Sequence, residues 1–301
     1  MTLPPFPTAD AEALIALALA EDLGDRFGGD SLGDVTSELT IPAEASGRVA
    51  IVSRETGRLA GLPIAAMVAA RVDAAITVSP QADDGAAIEP GRSVCELSGP
   101  VRSLLAAERT ILNFLTHLCG VATAAGRYAD AVNAVPGNKA VVLDTRKTLP
   151  GWRRLAKYAV QCGGGGNHRM GLHDMVLIKD NHLAAAAAAS PDQSLAELLA
   201  GVRERLPRPM RIEIEVDTLD QLRDALPGGP DIVLLDNMPP DVLREAVAIR
   251  DEHAPAALLE ASGGITLETI AGVAAAGVDR ISVGAITHSV RTLDLGFDWV
   301  A

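Results

Sequence analysis

The sequence predicts an α/β protein in two parts, an N-terminal α/β sandwich followed by a larger α/β barrel. Two observations carry that prediction. Apolar runs of strand length recur through the second half with helical segments between most of them, which is the rhythm of βα units around a parallel sheet. In the first third, strands and helices mix without strict alternation, the habit of an α+β sandwich. The change of rhythm divides the chain into residues 1–115 and residues 116–301, the second part ending in a C-terminal tail.

Taken in order, Thr8, Asp10 and Glu12 put a cap and acids ahead of an apolar run that Gly24 closes, predicting a first helix. Residues 25–34 are polar and glycine-rich and read as a loop. Arg48–Ser53 alternates as a strand does, Pro63 opens a short helix, and Ala75–Ser79 and Ser93–Leu97 read as further strands. Helical periodicity then runs from Leu104 to Val135 with an interruption at Gly120. Six strand-like runs follow, at Ala140–Leu143, Met175–Ile178, Ile212–Val216, Ile232–Leu235, Ala257–Leu259 and Arg280–Val283. The clearest helices between them are Leu195–Arg205, Leu219–Ala225, Asp241–Arg250 and Leu267–Ala276, while Ala184–Ala189 is helix-prone by composition. Six βα units suggest a barrel. An open doubly wound sheet is the alternative, but no GxGxxG follows a strand with an acid downstream.

Composition narrows the function. A net charge of −13 and only 3% aromatics argue against a nucleic-acid partner. Within that acidic chain, residues 144–180 hold seven Lys or Arg against three Asp, a local basic island that suits a small anion. For Arg153, Arg154 and Lys157 a solvated helix face is the competing reading. The three cysteines, Cys95, Cys119 and Cys162, lack metal-ligand spacing and read as buried thiols of a reducing compartment. No signal peptide and no apolar run of ~20 residues are visible, so no membrane partner and a cytoplasmic location are expected.

The unusual residues sit at strand ends, where parallel α/β folds build their active sites. Asp144–Thr148 follows the first run, Gly163–Arg169 precedes the second, and Lys179–His182 follows it. Glu213 and Glu215 share a face of the third by the two-residue period. Asp236-Asn237, Ser262-Gly263-Gly264 and Gly284 end the others. Ser262–Gly264, with a helix from Thr266, offers backbone N–H groups to a phosphate, and Gly284 lets a second loop approach. Lys147 and Lys179 suit a leaving phosphate or diphosphate, and the planar forks of Arg146 and Arg169 suit carboxylates. Glu215 and Asp236 form either a Mg²⁺ site or a buried salt bridge to a lysine. His168 either donates to substrate or orients its neighbours. The tetraglycine is either a flexible lid or a tight connection.

With these residues in view, the chain resembles the quinolinate phosphoribosyltransferase family over nearly its whole length. The motifs are GPVRSLLAAERTILNFL, DTRKTLPG, GGGGNHRMGLHD, LIKDNH, IEIEVD, LLDN, ASGGI and VGAITHS. The resemblance implies a sandwich on an incomplete, seven-stranded α/β barrel, one strand more than the six located above. It also implies a homodimer, or a higher oligomer built from it, with shared active sites. By motif, Arg109 would reach into the partner's site to bind a quinolinate carboxylate, alongside Arg146, His168 and Arg169. Lys147 and Lys179 would meet the diphosphate of phosphoribosyl pyrophosphate. Glu215 and Asp236 would serve Mg²⁺ and the ribose, and Ser262, Gly263, Gly264 and Gly284 the 5′-phosphate. His288 lies in the matching THS motif, with its role open. Stretching of the N-terminal EDLG region to Glu21–Thr36, through the insertion Asp25–Asp34, is a departure from the family's pattern.

The implied activity is a pentosyl transfer of NAD biosynthesis, from quinolinate and phosphoribosyl pyrophosphate to nicotinate mononucleotide, diphosphate and CO₂. No Ser-His-Asp or Cys-His constellation is visible, and none is required. A paralogue using another base is disfavoured by the intact DTRKT and IKDNH motifs, and a non-catalytic binder by retention of both lysines and both acids. A generic phosphate-binding, aldolase-like barrel is disfavoured by the two-arginine carboxylate site.

Overall fold

The computed structural model describes residues 3–24, 33–207 and 209–300. The first helices and strands are α1 (Thr8–Leu23), α2 (Val35–Thr40), β1 (Ser46–Ser53), β2 (Gly57–Arg58), α3 (Pro63–Val72), β3 (Thr77–Pro80), β4 (Ala87–Ile88) and β5 (Ser93–Pro100). The long helix α4 (Val101–Asn133) leads to β6 (Val141–Leu143), α5 (Arg153–Cys162), β7 (Val176–Ile178), α6 (Asp180–Ala189) and α7 (Leu195–Glu204). Next come β8 (Ile212–Val216), α8 (Leu219–Ala225), β9 (Ile232–Asp236), α9 (Pro240–His253) and β10 (Leu258–Ser262). The last are α10 (Ile270–Ala274), β11 (Arg280–Ser282), α11 (Ala285–His288) and β12 (Leu295–Trp299).

Two compact units divide the chain. The first holds residues up to Gly126, Thr148–Gly164 and the segment from Ala285 onward. The second holds Arg127–Lys147 and Gly165–Gly284. The boundary expected at 115/116 lies inside α4. Of the insertion Asp25–Asp34, residues 25–32 lie outside the described residues; Asp34 caps α2 by accepting the Ser37 N–H at 3.0 Å.

The first unit is built on an antiparallel sheet in the order β12-β1-β5-β3. β12, which sequence periodicity missed, pairs along β1 with Val49 opposite Trp299 and Ser53 opposite Leu295. Its short run LGFDW alternates weakly and is recruited by a strand already formed. Thr8 is not the cap of α1: that position is Pro7, and the Thr8 hydroxyl donates backward to the Phe6 carbonyl at 3.3 Å. Gly24 closes the helix as expected, with φ 90°.

Gly120 does not interrupt the long helix. α4 continues through it, burying Leu104, Ala107, Ile111, Leu115, Leu118, Ala122 and Ala125 at three- and four-residue steps. The glycine is there because a Cβ would collide with the Arg291 carbonyl oxygen and lie 3.1 Å from Thr292 Cα. Gly120→Ala is therefore expected to destabilise the first unit by about 1–3 kcal/mol through overpacking. A lower urea midpoint at unchanged slope would register it, and a parental midpoint would refute it.

The second unit carries six parallel strands in the order β6-β11-β10-β9-β8-β7. Each sequence run supplies one of them, with ends moved by a residue or more except at β8. A parallel bridge between Leu143 and Gly166 adds a seventh position beside β6, the place of the strand that periodicity did not find. Glycines have no hydrophobic signature, so that segment reads as a loop in sequence. β8 is buried throughout, and β9 from Ile232 to Leu235, as expected for strands covered on both faces. Capping boxes set the starts of the intervening helices: Ser194 with Glu197 for α7 and Thr218 with Gln221 for α8. The alanine-rich α6 buries no residue and rests on propensity and its own cap.

Candidate active site

The strand ends of the second unit enclose a cavity of about 340 Å³. That volume is within the usual range of about 300–1,000 Å³ for small-molecule sites. Arg146, Lys147 and Thr145 line it from the loop after β6, His168 and Arg169 from the segment after the Gly166 bridge, and Lys179 from the end of β7. Ser262 and Ser282 contribute from the ends of β10 and β11, over an apolar floor of Leu177 and Leu234. Six residues picked out in sequence thus meet at one mouth: Arg146, Lys147, His168, Arg169, Lys179 and Ser262. Thr145 and Ser282 were not picked out, because a lone hydroxyl beside a strand carries no sequence signal.

Arg146 and Arg169 are partly buried near one another. Burial first, and then the Arg146 charge, pulls the Arg169 guanidinium below its ordinary pKa, although Glu213 and Asp174 oppose this. Two cations held in each other's repulsive field form a site that an anion relaxes. The Arg169 guanidinium is steadied by donating from Nη1 to the Met175 carbonyl at 3.2 Å.

His168 is buried and turned away from solvent. Its backbone N–H donates to Asp144 Oδ1 at 2.8 Å, and its Nδ1 accepts the Arg169 backbone N–H at 2.7 Å. Its Nε2 lies 3.1 Å from Glu213 Oε2 and 3.2 Å from Glu260 Oε1. Of the two readings left open by the sequence, this geometry is that of an orienting residue. Burial opposes charge on the ring, but the contacts with Glu213 and Glu260 outweigh it and push the ring up to about 9. The Arg169 amide pulls the other way, because a second ring proton would sit on Nδ1 facing the amide hydrogen. In either protonation state Nε2 carries a hydrogen toward the two acids, and in the neutral ring the Nδ1 lone pair takes the Arg169 amide hydrogen.

Glu215 forms an ion pair with Lys179 and is itself buried, so the salt-bridge alternative is present. Asp236 is pushed above the ordinary carboxylate range by burial first and by the Glu215 charge second, with Asn237 and Lys179 opposing. Two hard-oxygen donors under mutual repulsion are suited to Mg²⁺, whose binding would relieve that repulsion. The donor set therefore fits the metal that the sequence suggests. Asn237 Nδ2 donates to Asp236 Oδ2 at 2.6 Å, while its own backbone takes φ 54°, the one positive-φ residue other than glycine among those described.

The glycine loop differs from expectation in one respect. No helix begins at Thr266: an irregular turn precedes α10, which starts at Ile270 and is five residues long. Thr266 N–H is taken by the Thr269 hydroxyl at 3.0 Å, which forms a local turn before the helix. What is available to a phosphate is the backbone of Gly263 and Gly264, at φ 91° and 59°. A Cβ at Gly263 would strike the Asn237 side-chain oxygen.

The basic island also divides. Arg153, Arg154 and Lys157 lie on α5 in the first unit, and Lys157 is buried, so that helix is not simply a solvated face. The tetraglycine is a close-packed connection: a Cβ at Gly163 would meet the Ala122 carbonyl oxygen, and one at Gly166 would lie 2.8 Å from Leu143 Cδ2. Arg109 is exposed on α4 in the first unit. His288 ends α11 in the same unit, with Nδ1 2.6 Å from the Ser289 hydroxyl. Gly284 follows β11 and closes the second unit.

A parallel α/β sheet with paired guanidiniums, two lysines and two acids at its C-terminal mouth defines an enzyme acting on a phosphorylated, carboxylate-bearing substrate. The N-terminal domain of quinolinate phosphoribosyl transferase matches residues 34–119 of the chain, and the C-terminal domain of the same enzyme family matches residues 121–298. The chain belongs to the quinolinate phosphoribosyl transferase family. It is 44% identical over 290 residues to the carboxylating nicotinate-nucleotide pyrophosphorylase of Mycobacterium leprae, covering 96% of both chains. A probable enzyme of the same name from Bacillus subtilis is 39% identical, with 88% of each chain covered. The structure of the nicotinate-nucleotide pyrophosphorylase from Francisella tularensis superposes with a TM-score of 0.87 at 35% identity, over 100% of this chain and 99% of that one. Among the described residues no helix is long and apolar enough to cross a membrane.

Proposed function

We propose that the mouth of the parallel sheet seats both substrates of the family's reaction, with each group of side chains serving one part of them. The activity is that of a carboxylating nicotinate-nucleotide diphosphorylase in NAD biosynthesis, joining quinolinate to phosphoribosyl pyrophosphate. The observation that supports the seating is the pair Arg146 and Arg169, kept partly buried in mutual repulsion beside Lys147 and Lys179. A dicarboxylate relieves the first pair and a diphosphate is attracted to the second.

In this reading the arginine forks hold the quinolinate carboxylates so that the pyridine nitrogen faces ribose C1. The C1–O bond to diphosphate breaks with its electron pair going to the departing oxygen, and Lys147 and Lys179 stabilise that charge. The nitrogen lone pair forms the new bond to C1. The ring nitrogen, now cationic, stabilises the electron pair left on the ring carbon when the neighbouring carboxylate departs as CO₂, and a proton then completes that carbon. Glu215 and Asp236 would hold Mg²⁺, which supplies charge to the diphosphate when bound. Ser262, Gly263, Gly264 and Gly284 would hold the 5′-phosphate. The reading includes a homodimer in which Arg109 enters the partner's site, and a cytoplasmic location, which the three buried free thiols support.

Incubation with quinolinate, phosphoribosyl pyrophosphate and Mg²⁺ should release CO₂ and nicotinate mononucleotide in equal amounts. Nicotinate offered in place of quinolinate should give little product, and a preference for nicotinate would overturn the substrate assignment. Removing Mg²⁺ with a chelator should abolish turnover, and restoring it should return activity. Full turnover in chelator would remove the metal from the reading.

A further inference from the structure

The carboxylates of Glu213 on β8 and Glu260 on β10 are wholly buried in the sheet interior, positions that parallel α/β folds usually fill with Val, Ile or Leu. Glu260 is compensated at one oxygen: Arg280 Nε donates to its Oε2 at 2.7 Å, while Oε1 receives no aligned hydrogen bond. Glu213 is not, since neither of its oxygens receives a well-aligned hydrogen bond. Burial first and the Glu260 charge as well push Glu213 above the ordinary carboxylate range, against His168. Burying such a group costs stability, so its presence is not explained by the fold.

With His168, these acids form a group whose potential metal-ligating atoms lie within 4.8 Å of one another. It is not suited to a cation. Nδ1 already accepts the Arg169 amide hydrogen, so the proton of the neutral ring sits on Nε2 and closes the lone pair a metal would need. Arg280 adds a positive charge on the far side of Glu260.

We infer that Glu213 and Glu260 are positioning residues for substrate recognition, holding the His168 ring between their carboxylates by charge so that His168 in turn sets Arg169. The links run in series. Two carboxylate oxygens flank ring Nε2 at 3.1 and 3.2 Å, close enough to hold it by charge without an aligned hydrogen bond. Asp144 fixes the His168 backbone, and the opposite ring nitrogen holds the Arg169 peptide. The Arg169 guanidinium is thereby aimed into the mouth beside Arg146. A ring free to turn would release that peptide and let the two guanidiniums separate under their repulsion. The inference rests on the reading of Arg169 as a carboxylate-binding residue.

Glu213→Leu tests it in the full chain. Replacing an uncompensated buried acid with an apolar side chain should leave the urea midpoint equal or higher. Loss of the grip should nevertheless raise KM for quinolinate about tenfold through misplacement of the fork, with KM for phosphoribosyl pyrophosphate unchanged within about twofold. Glu213→Gln should recover part of the loss, because its carbonyl dipole still faces Nε2–H. In an Arg169→Ala background Glu213→Leu should add no further change in KM. If Glu213→Leu does not fold, the similarly sized Glu213→Met should show the same split between substrates. An unchanged quinolinate KM, or equal rises for both substrates, overturns the inference. A parental protein that makes no nicotinate mononucleotide would overturn the proposed function instead.

Discussion

Lys147→Ala is expected to lower kcat by about 10²–10³, the loss typical of removing one group that stabilises charge developing in the transition state. Lys147 lines the mouth and is exposed in the absence of substrate, its backbone anchored by a 3.1 Å hydrogen bond to Thr145 Oγ1. In the proposed reading its ammonium meets diphosphate as charge accumulates on the departing oxygen, so KM should move less than kcat. Lys179 is a less clean target, because its removal leaves the buried Glu215 carboxylate without its ion-pair partner. A Lys147→Ala protein retaining more than about a tenth of parental kcat would argue that the lysine only concentrates the phosphorylated substrate and does not stabilise its departure.

Mixing Arg109→Ala with Lys147→Ala chains, each nearly inactive alone, is expected to restore about a quarter of parental activity. Arg109 lies on α4 in the first unit, whereas Lys147 is at the end of a parallel strand in the second. If each site draws Arg109 from the neighbouring subunit, a mixed dimer has one site with both lesions and one with neither. Equal amounts and random exchange make half of all dimers mixed, and half of their sites intact. If Arg109 acts within its own chain, every mixed-dimer site carries one lesion and nothing is recovered. Mass measurement of the mixture must show that subunits have exchanged, after which absent recovery rules out the shared site.

Much of this protein was determined by its sequence alone. The alternation of apolar runs with capped helical segments specified six parallel strands, because strands buried on both faces are predominantly apolar. The charged motifs, lying where those runs stop, specified six of the residues that meet at the mouth, since in a parallel sheet all strand ends point the same way. The family motifs added the reaction. What the sequence did not determine depends on contacts between distant segments. Gly120 looks like a helix break until the Arg291 carbonyl is seen against it. β12 has too little alternation to be a strand until β1 offers it a ladder, and the seventh strand position, at Gly166, has no side chain to signal it. The single basic island of the sequence divides between the two units. Glu213 and Glu215 share a face by periodicity, yet one is turned into a buried fork on His168 and the other onto Lys179. That division came from tertiary structure alone: period two determines the face on which a side chain lies, and only neighbouring strands determine the partner that it meets there.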